Sequence, residues 1–317
     1  MATMKAVRFH SYGKPEVLVY EDVPKPEPAV GEALVKVHAA SVNPIDWKVR
    51  AGHLRSFREY PLPLILGWDV SGVVESVGKG VSQWEPGDQV YGRPEMGRNG
   101  AYAEYIAVKE GELARKPRSL DHVHSAAIPL AGLTAWQALF DAAGLQPGQK
   151  VLIQAAAGGV GHLAIQFAKL QDLYVAGTAG GRNQEFLKQL GCDLPINYET
   201  TRFEEVVHNF DAVIESMGGD VRSRSWKVLK KGGILVALIG PPLSEDDAEL
   251  HGVRAAIIWA QTKSDQLAEI ARLADAGKIR PEIAAVFPLR DAAKAHQMSE
   301  TGHVRGKVVL QVVSDVS

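Results

Sequence analysis

Hydrophobic and polar residues change rhythm once along the chain. Up to about residue 120 the pattern is short and two-fold. Lys5–Phe9 alternates, and Ala33–Ala39 reads Ala-Leu-Val-Lys-Val-His-Ala. Val70–Val77 is rich in β-branched residues, and Tyr102–Val108 follows Gly100. Alternation with β-branched enrichment predicts strands. Turn signals separate them at Gly13-Lys14-Pro15, Pro24 to Pro28, Asn43-Pro44 and Glu85-Pro86-Gly87-Asp88. This stretch reads as an irregular β-rich domain.

From about residue 124 strand and helix alternate. Ser125–Ala142 has helical spacing, Lys150–Gln154 is a short apolar strand, and Val160–Leu170 sets Leu163 and Phe167 on one helical face. Leu173–Gly177, Asp211–Glu215 and Gly233–Ile239 predict further strands, with helices at Glu185–Leu190 and Ser223–Leu229. Such alternation predicts an α/β unit, a parallel sheet with right-handed crossovers. A helix at Gln266–Ala276, the segment Glu282–Phe287, a helix at Arg290–Ser299 and a strand at Lys307–Val312 follow.

Composition narrows the class. The 317 residues suit two domains, and 46% hydrophobic with 23% charged residues is a globular balance. Lys plus Arg is 35 against 37 Asp plus Glu, a formal net charge of −2, with no basic run. Neither a nucleic-acid partner nor an anionic membrane is expected. The single cysteine, Cys192, forms neither an internal disulfide nor a cysteine zinc cluster. Met1–Val7 lacks the apolar core of a signal peptide, and no apolar run approaches the roughly 18–20 residues of a membrane span. A cytoplasmic protein is the expectation.

The chemistry begins at Ala155-Ala156-Ala157-Gly158-Gly159-Val160-Gly161, between a predicted strand and a predicted helix. Ala156, Gly158 and Gly161 hold the three glycine places of a dinucleotide fingerprint. Small residues are needed because the pyrophosphate approaches the backbone, where N–H groups at the helix start receive its charge. The plain alternative is a tight strand-to-helix turn. NAD sites carry an acid at the end of the second strand, but Ala176–Asn183 has none and contains Arg182. NADP(H) is therefore the expected cofactor, with Thr178 donating a hydrogen bond and Arg182 pairing with the 2′-phosphate. Ser216, Ile239 and Gly240 follow the fourth and fifth strands, at the carboxyl ends where such sheets bind ligands.

Seven motifs in order resemble a known family. They are Tyr12-Gly13-x-Pro15-Glu16-Val17-Leu18, Asn43-Pro44-Ile45-Asp46, Gly67-x4-Gly72-Val73-Val74-x3-Gly78, Gly87-Asp88-x-Val90-Tyr91-Gly92, Leu133-Thr134-Ala135-Trp136, the glycine loop, and His303-x-Arg305-Gly306-Lys307. Together they resemble the zinc-independent, quinone-oxidoreductase-like branch of the medium-chain dehydrogenases/reductases. The resemblance implies a GroES-like β-rich catalytic domain, residues 1–123 plus 264–317, with an inserted Rossmann NADP-binding domain, residues 124–263. It implies Thr134 beside the nicotinamide and Tyr198 beside the adenosine 2′-phosphate. It also implies a homodimer through a sheet edge near Gly252–Trp259. Zinc-dependent relatives have ligands where this chain has Asn43, Trp68-Asp69 and Leu130, and indole and Leu cannot ligate a metal. No metal site is expected.

What remains is hydride transfer to an electron-poor acceptor, a quinone or an α,β-unsaturated carbonyl. Asn43 is the candidate donor to the acceptor oxygen and Pro44 fixes its turn; Asp46 resembles the family's cleft aspartate, which implies that it either orients Lys48 or a ribose hydroxyl or moves a proton. Tyr91 and Lys48 are weaker oxyanion candidates, and Trp47 and Trp68 are alternative pocket walls. Two other functions compete: an enoyl-thioester reductase using Arg50, Arg55 and Arg58 as a basic track, and a non-catalytic NADPH-binding sensor or structural protein.

Overall fold

The computed structural model describes residues 2–238, 240, 243 and 245–313. The chain divides into two compact units, Met1–Leu130 with Thr262–Ser317, and Ala131–Gln261. Eight strands of the first unit precede the insertion: β1 (Thr3–Phe9), β2 (Leu18–Pro24), β3 (Glu32–Val42), β4 (Leu64–Ile65), β5 (Val70–Val77), β6 (Gln89–Gly92), β7 (Tyr105–Lys109) and β8 (Leu113–Arg115). The second unit holds β9 (Lys150–Ile153), β10 (Tyr174–Ala179), β11 (Leu194–Asn197), β12 (Phe210–Glu215), β13 (Leu229–Ala237) and β14 (Arg254–Ile257). The chain then supplies β15 (Ile283–Pro288) and β16 (Lys307–Gln311) to the first unit.

In the first unit a three-stranded sheet runs β2-β1-β4 and a seven-stranded sheet runs β15-β16-β3-β5-β6-β8, with β7 also paired to β3. Phe9, Val35, Leu66, Trp68 and Tyr102 are buried in the core of this unit. β16 lies antiparallel to β3, with Val308 opposite Val42. This pairing returns the C-terminal strand to the N-terminal sheets and sets Lys307 beside the end of β3.

The second unit is a six-stranded parallel sheet in the order β11-β10-β9-β12-β13-β14. That is the doubly wound dinucleotide-binding order, with its switch point between β9 and β12. Leu152, Ala176, Phe203, Phe210 and Val213 are buried in one of its apolar clusters, and Trp226, Leu235 and Ala237 in another.

Three segments differ from the pattern-based expectation. Ser125–Ala142 is three pieces, helices His122–Ala126 and Pro129–Trp136 and a π-helical turn Gln137–Ala142. Pro129 cannot donate to a preceding turn and biases the residue before it away from helix. The turn expected at Asn43-Pro44 opens a helix, Pro44–Arg50, because Pro at the first helical position loses no bond. β7 starts at Tyr105 instead of Tyr102, since Ala103 bridges to Ala6 of the other sheet. Among the described residues no helix is long and apolar enough to cross a membrane.

Candidate functional site

In the second unit β9 runs into the loop Ala155–Val160 and then the helix Gly161–Leu170. Ala155 takes a positive φ of 51°, and Ala156 N–H donates to Thr178 O at 2.8 Å, so the loop folds against β10. A Cβ on Gly161 would stand 2.6 Å from Ala155 O and from Ala156 Cα. Those are backbone atoms, so only glycine lets the helix start so close to the loop. Ala156 and Ala157 are buried, while Gly158, Gly159 and Val160 are half-exposed. Gly158 and Gly159 thus leave bare backbone accessible in the loop, which fits the pyrophosphate of a dinucleotide.

Thr178 is turned inward. It is 3% exposed, donates to Gln154 Oε1 at 2.6 Å and accepts from Ala155 N–H at 3.3 Å. A buried hydroxyl needs partners, and here they brace the glycine loop; the hydroxyl is not offered to a 2′-phosphate. Arg182 is exposed after β10, and Tyr198, 53% exposed, follows β11. Thr134 is buried on its helix.

After β12, the loop Ser216-Met217-Gly218 is held by Glu215, a residue the sequence did not single out. Its carboxylate is fully buried, accepts from the N–H groups of Met217 and Gly218 at 2.5 Å each, and pairs with Arg222 at 2.8 Å. Ser216 Oγ meets Gln154 O at 3.5 Å. Gly240 is exposed with φ 91°, and a Cβ there would stand 3.0 Å from the Arg222 guanidinium. Ile239 lies outside the described residues.

In the first unit Asn43 follows β3 directly and caps the helix Pro44–Arg50. It is 2% exposed, and its Nδ2 donates to Asp69 Oδ2 at 2.7 Å. Its Oδ1 accepts from Lys307 Nζ, which also lies 3.4 Å from Asp69 Oδ2. These partners fix which end of the amide is nitrogen, leaving one further N–H. Asp69 also accepts from Ser41 Oγ at 2.5 Å and Leu130 N–H at 2.6 Å. Burial pushes the Lys307 amine below its ordinary range, and Asp69 and Asp46 pull it back up.

Asp46 is fully buried, so it faces neither Lys48 nor a ribose in the way the sequence suggested. Its Oδ2 accepts from Asn43 N–H at 2.7 Å and Tyr102 Oη at 3.1 Å, while its Oδ1 is buried without a protein partner. Burial pushes its carboxyl up to about 7. Behind it stand Tyr102, His296 and Arg50. Arg50 can only donate, so His296 Nδ1 accepts at 3.3 Å and Nε2–H faces Tyr102 Oη at 3.3 Å. Burial, with Arg50 second, lowers His296 to about 3, so the ring is neutral.

Three other sequence candidates are displaced. Tyr91 is fully buried and donates to Leu267 O at 2.5 Å, so it cannot meet an oxyanion. Trp68 is core, not a pocket wall. Arg50 is 2% exposed and paired with Glu300 at 2.5 Å, which removes it from any surface basic track. Pro44 is exposed at the first helical position.

The two units define a dehydrogenase or reductase of the nicotinamide class, and similarity to known proteins agrees. Residues 29–118 match the alcohol dehydrogenase GroES-like domain and residues 190–310 the zinc-binding dehydrogenase domain. The chain belongs to the medium-chain dehydrogenase/reductase family, among its quinone-oxidoreductase-like members. It is 35% identical to human mitochondrial NAD(P)H oxidoreductase RTN4IP1, over 98% of this chain and 89% of that one. It is 36% identical to 2-methylene-furan-3-one reductase of Solanum lycopersicum, over 98% and 79%. The structure of the quinone oxidoreductase from Coxiella burnetii superposes with a TM-score of 0.91 at 40% identity, covering 98% of this chain and all of that one.

Proposed function

We propose that the protein is a zinc-independent, NADPH-dependent reductase of quinones or α,β-unsaturated carbonyls. The observation that carries the reading is the Lys307 ammonium lodged between Asn43 and Asp69. The resemblance puts the metal ligands of zinc-binding relatives at the places of Asn43, Trp68-Asp69 and Leu130, and the Trp68 indole cannot ligate a metal. Here one donor is an amide engaged with Lys307 and Asp69, another is an apolar side chain, and a protein cation already neutralises the carboxylate. A divalent ion does not fit this set. Among the described residues no group of three His, Cys, Asp or Glu side chains suits a metal. Without a Lewis acid, alcohol oxidation is disfavoured and acceptors that need little activation are favoured.

Bound NADPH supplies the hydride. Gly158, Gly159, Val160 and Gly161, with Ala157, offer backbone to the pyrophosphate, and Ser216 and Gly240 border the same carboxyl ends. Arg182 and Tyr198 favour the 2′-phosphate, and Thr134 stands by the nicotinamide. Asn43, oriented by Lys307 and Asp69, donates its remaining N–H where the acceptor oxygen gains charge. Asp46, poised near neutrality and joined to Tyr102 and His296, tunes that donor through the Asn43 backbone. The names of the human, tomato and Coxiella relatives support a nicotinamide cofactor and both acceptor classes. The open edge of β14, with Ile257 and Trp259 exposed, supports a homodimer. A single cysteine suits a reducing compartment such as the cytosol.

Initial rates of NADPH and NADH oxidation against a panel of quinones and short and long enones test the reading. NADPH-supported turnover on either class is expected. Turnover only on alcohols with NADP+ would overturn it.

A further inference from the structure

The chain lacks the usual acid at the end of its second Rossmann strand, yet a carboxylate stands there. Strands β10 and β11 end side by side, with Ala179 in register with Asn197 and Tyr198 N–H donating to Ala179 O at 3.3 Å. Glu199, the next residue, turns back over the end of β10. Its Oε2 accepts from Gly181 N–H at 2.9 Å. A Cβ on Gly180 would stand 3.0 Å from Glu199 Oε1 and 3.3 Å from Tyr198 Oη. A Cβ on Gly181 would stand 3.1 Å from Glu199 Oε2 and from Asn197 Nδ2. Two glycines in succession leave the room that this carboxylate fills. Arg182 follows directly.

In doubly wound sheets this is where the adenosine ribose is read, an acid binding the 2′-OH of NAD and an Arg donating to the 2′-phosphate of NADP. Here both signs of charge meet at one strand end, the acid arriving from the neighbouring strand. We propose that Glu199 shifts the NADPH-to-NADH preference toward NADH: its carboxylate occupies the anion position on Gly181 N–H, so that NADPH must displace it while NADH need not. This rests on the reading that the second unit binds a dinucleotide. A 2′-phosphate beside Glu199 meets like charge and competes for the same amide. A 2′-OH can instead donate to the carboxylate. Arg182 pulls the other way, and the preference is the balance of the two.

The test is calorimetric binding of NADPH and of NADH to the full-length protein and to Glu199→Gln and Glu199→Lys. Removing an exposed like charge is expected to tighten NADPH about tenfold at low salt, with the gain shrinking as salt rises. Glu199→Lys tightens it further. NADH affinity stays the same or weakens in both. Equal changes for the two dinucleotides, or NADPH affinity unmoved or weakened by Glu199→Gln, would overturn the assignment and leave the dinucleotide reading standing. Wild-type protein that binds neither dinucleotide would overturn both.

Discussion

The ammonium of Lys307 donates to the side-chain oxygen of Asn43, 264 residues earlier in the chain. The contact exists because β16 pairs with β3, setting Val308 against Val42 at the last rung before both residues. It sets the Lys307 amine 3.4 Å from Asp69 Oδ2, and it orients the amide proposed to meet the substrate.

Lys307 is 3% exposed and Asp69 is fully buried, so Lys307→Met leaves an uncompensated interior carboxylate. A loss of about 3–5 kcal/mol is expected, of the size seen when one partner of a buried pair is removed. Adding Asp69→Asn should recover part of it. Calorimetric melting of the single and double variants measures this, and additive losses would show that the pair is not coupled.

Asp46 gives a pH dependence of definite sign. Its folded carboxyl titrates near 7, above the unfolded value of about 3.9. Between those values the folded protein binds more protons than the unfolded chain, so the Asp46 contribution to stability falls as pH rises toward 7 and is constant above it. Asp46→Asn keeps an oxygen for Asn43 N–H and Tyr102 but cannot ionise. Relative to wild type, the variant should gain stability as pH rises from about 4 to about 7. Denaturation midpoints across that range test the sign.

Gly161→Ala should damage both the loop and the ligand. The added methyl would lie 2.6 Å from backbone atoms of Ala155 and Ala156, which cannot rotate away. A cost of roughly 1–3 kcal/mol is expected from overpacking, together with loss of dinucleotide binding. Gly148→Ala, where nothing stands within 4 Å but φ is 83°, is the control that strains the backbone without touching the loop. Calorimetric binding of NADPH separates the two.

Arg182→Ala should weaken NADPH by about 1.5–3 kcal/mol, roughly 10- to 150-fold, through loss of a charged hydrogen bond. NADH should be little affected. Equal affinity of the variant and wild type for NADPH would remove Arg182 from the site.

The parts of this account legible in the sequence are those carried by local pattern. The glycine loop, with its strand before and helix after, reads directly because small residues and apolar periodicity sit next to each other. The edge strand β11 is not legible from pattern, and β14 is located only through the family resemblance, which implies a sheet edge near Gly252–Trp259. β11 contains Pro195, which only an edge strand tolerates, and β14 is mostly exposed and lacks a buried apolar run. The buried polar chain through Arg50, His296, Tyr102 and Asp46 is built from positions far apart in sequence; Asp46 alone reads as a site acid, while Arg50 reads as a surface charge and His296 and Tyr102 carry no signal of their own. Glu199 hid for the same reason. Its acid belongs to the loop after β11, so a search along β10 misses it. Thr178 and Tyr91 were assigned outward roles, because sequence does not say which side of a strand a hydroxyl faces once its partners come from other elements.

The most direct test is a single turnover by chelator-treated protein. NADPH is mixed with a slight excess of protein freed of metal, a quinone or an enone is added, and nicotinamide oxidation is followed. One equivalent of NADPH oxidised without added metal is the predicted result. Oxidation that appears only when zinc is restored, or NADPH that binds tightly and is never oxidised by any acceptor, would contradict the account.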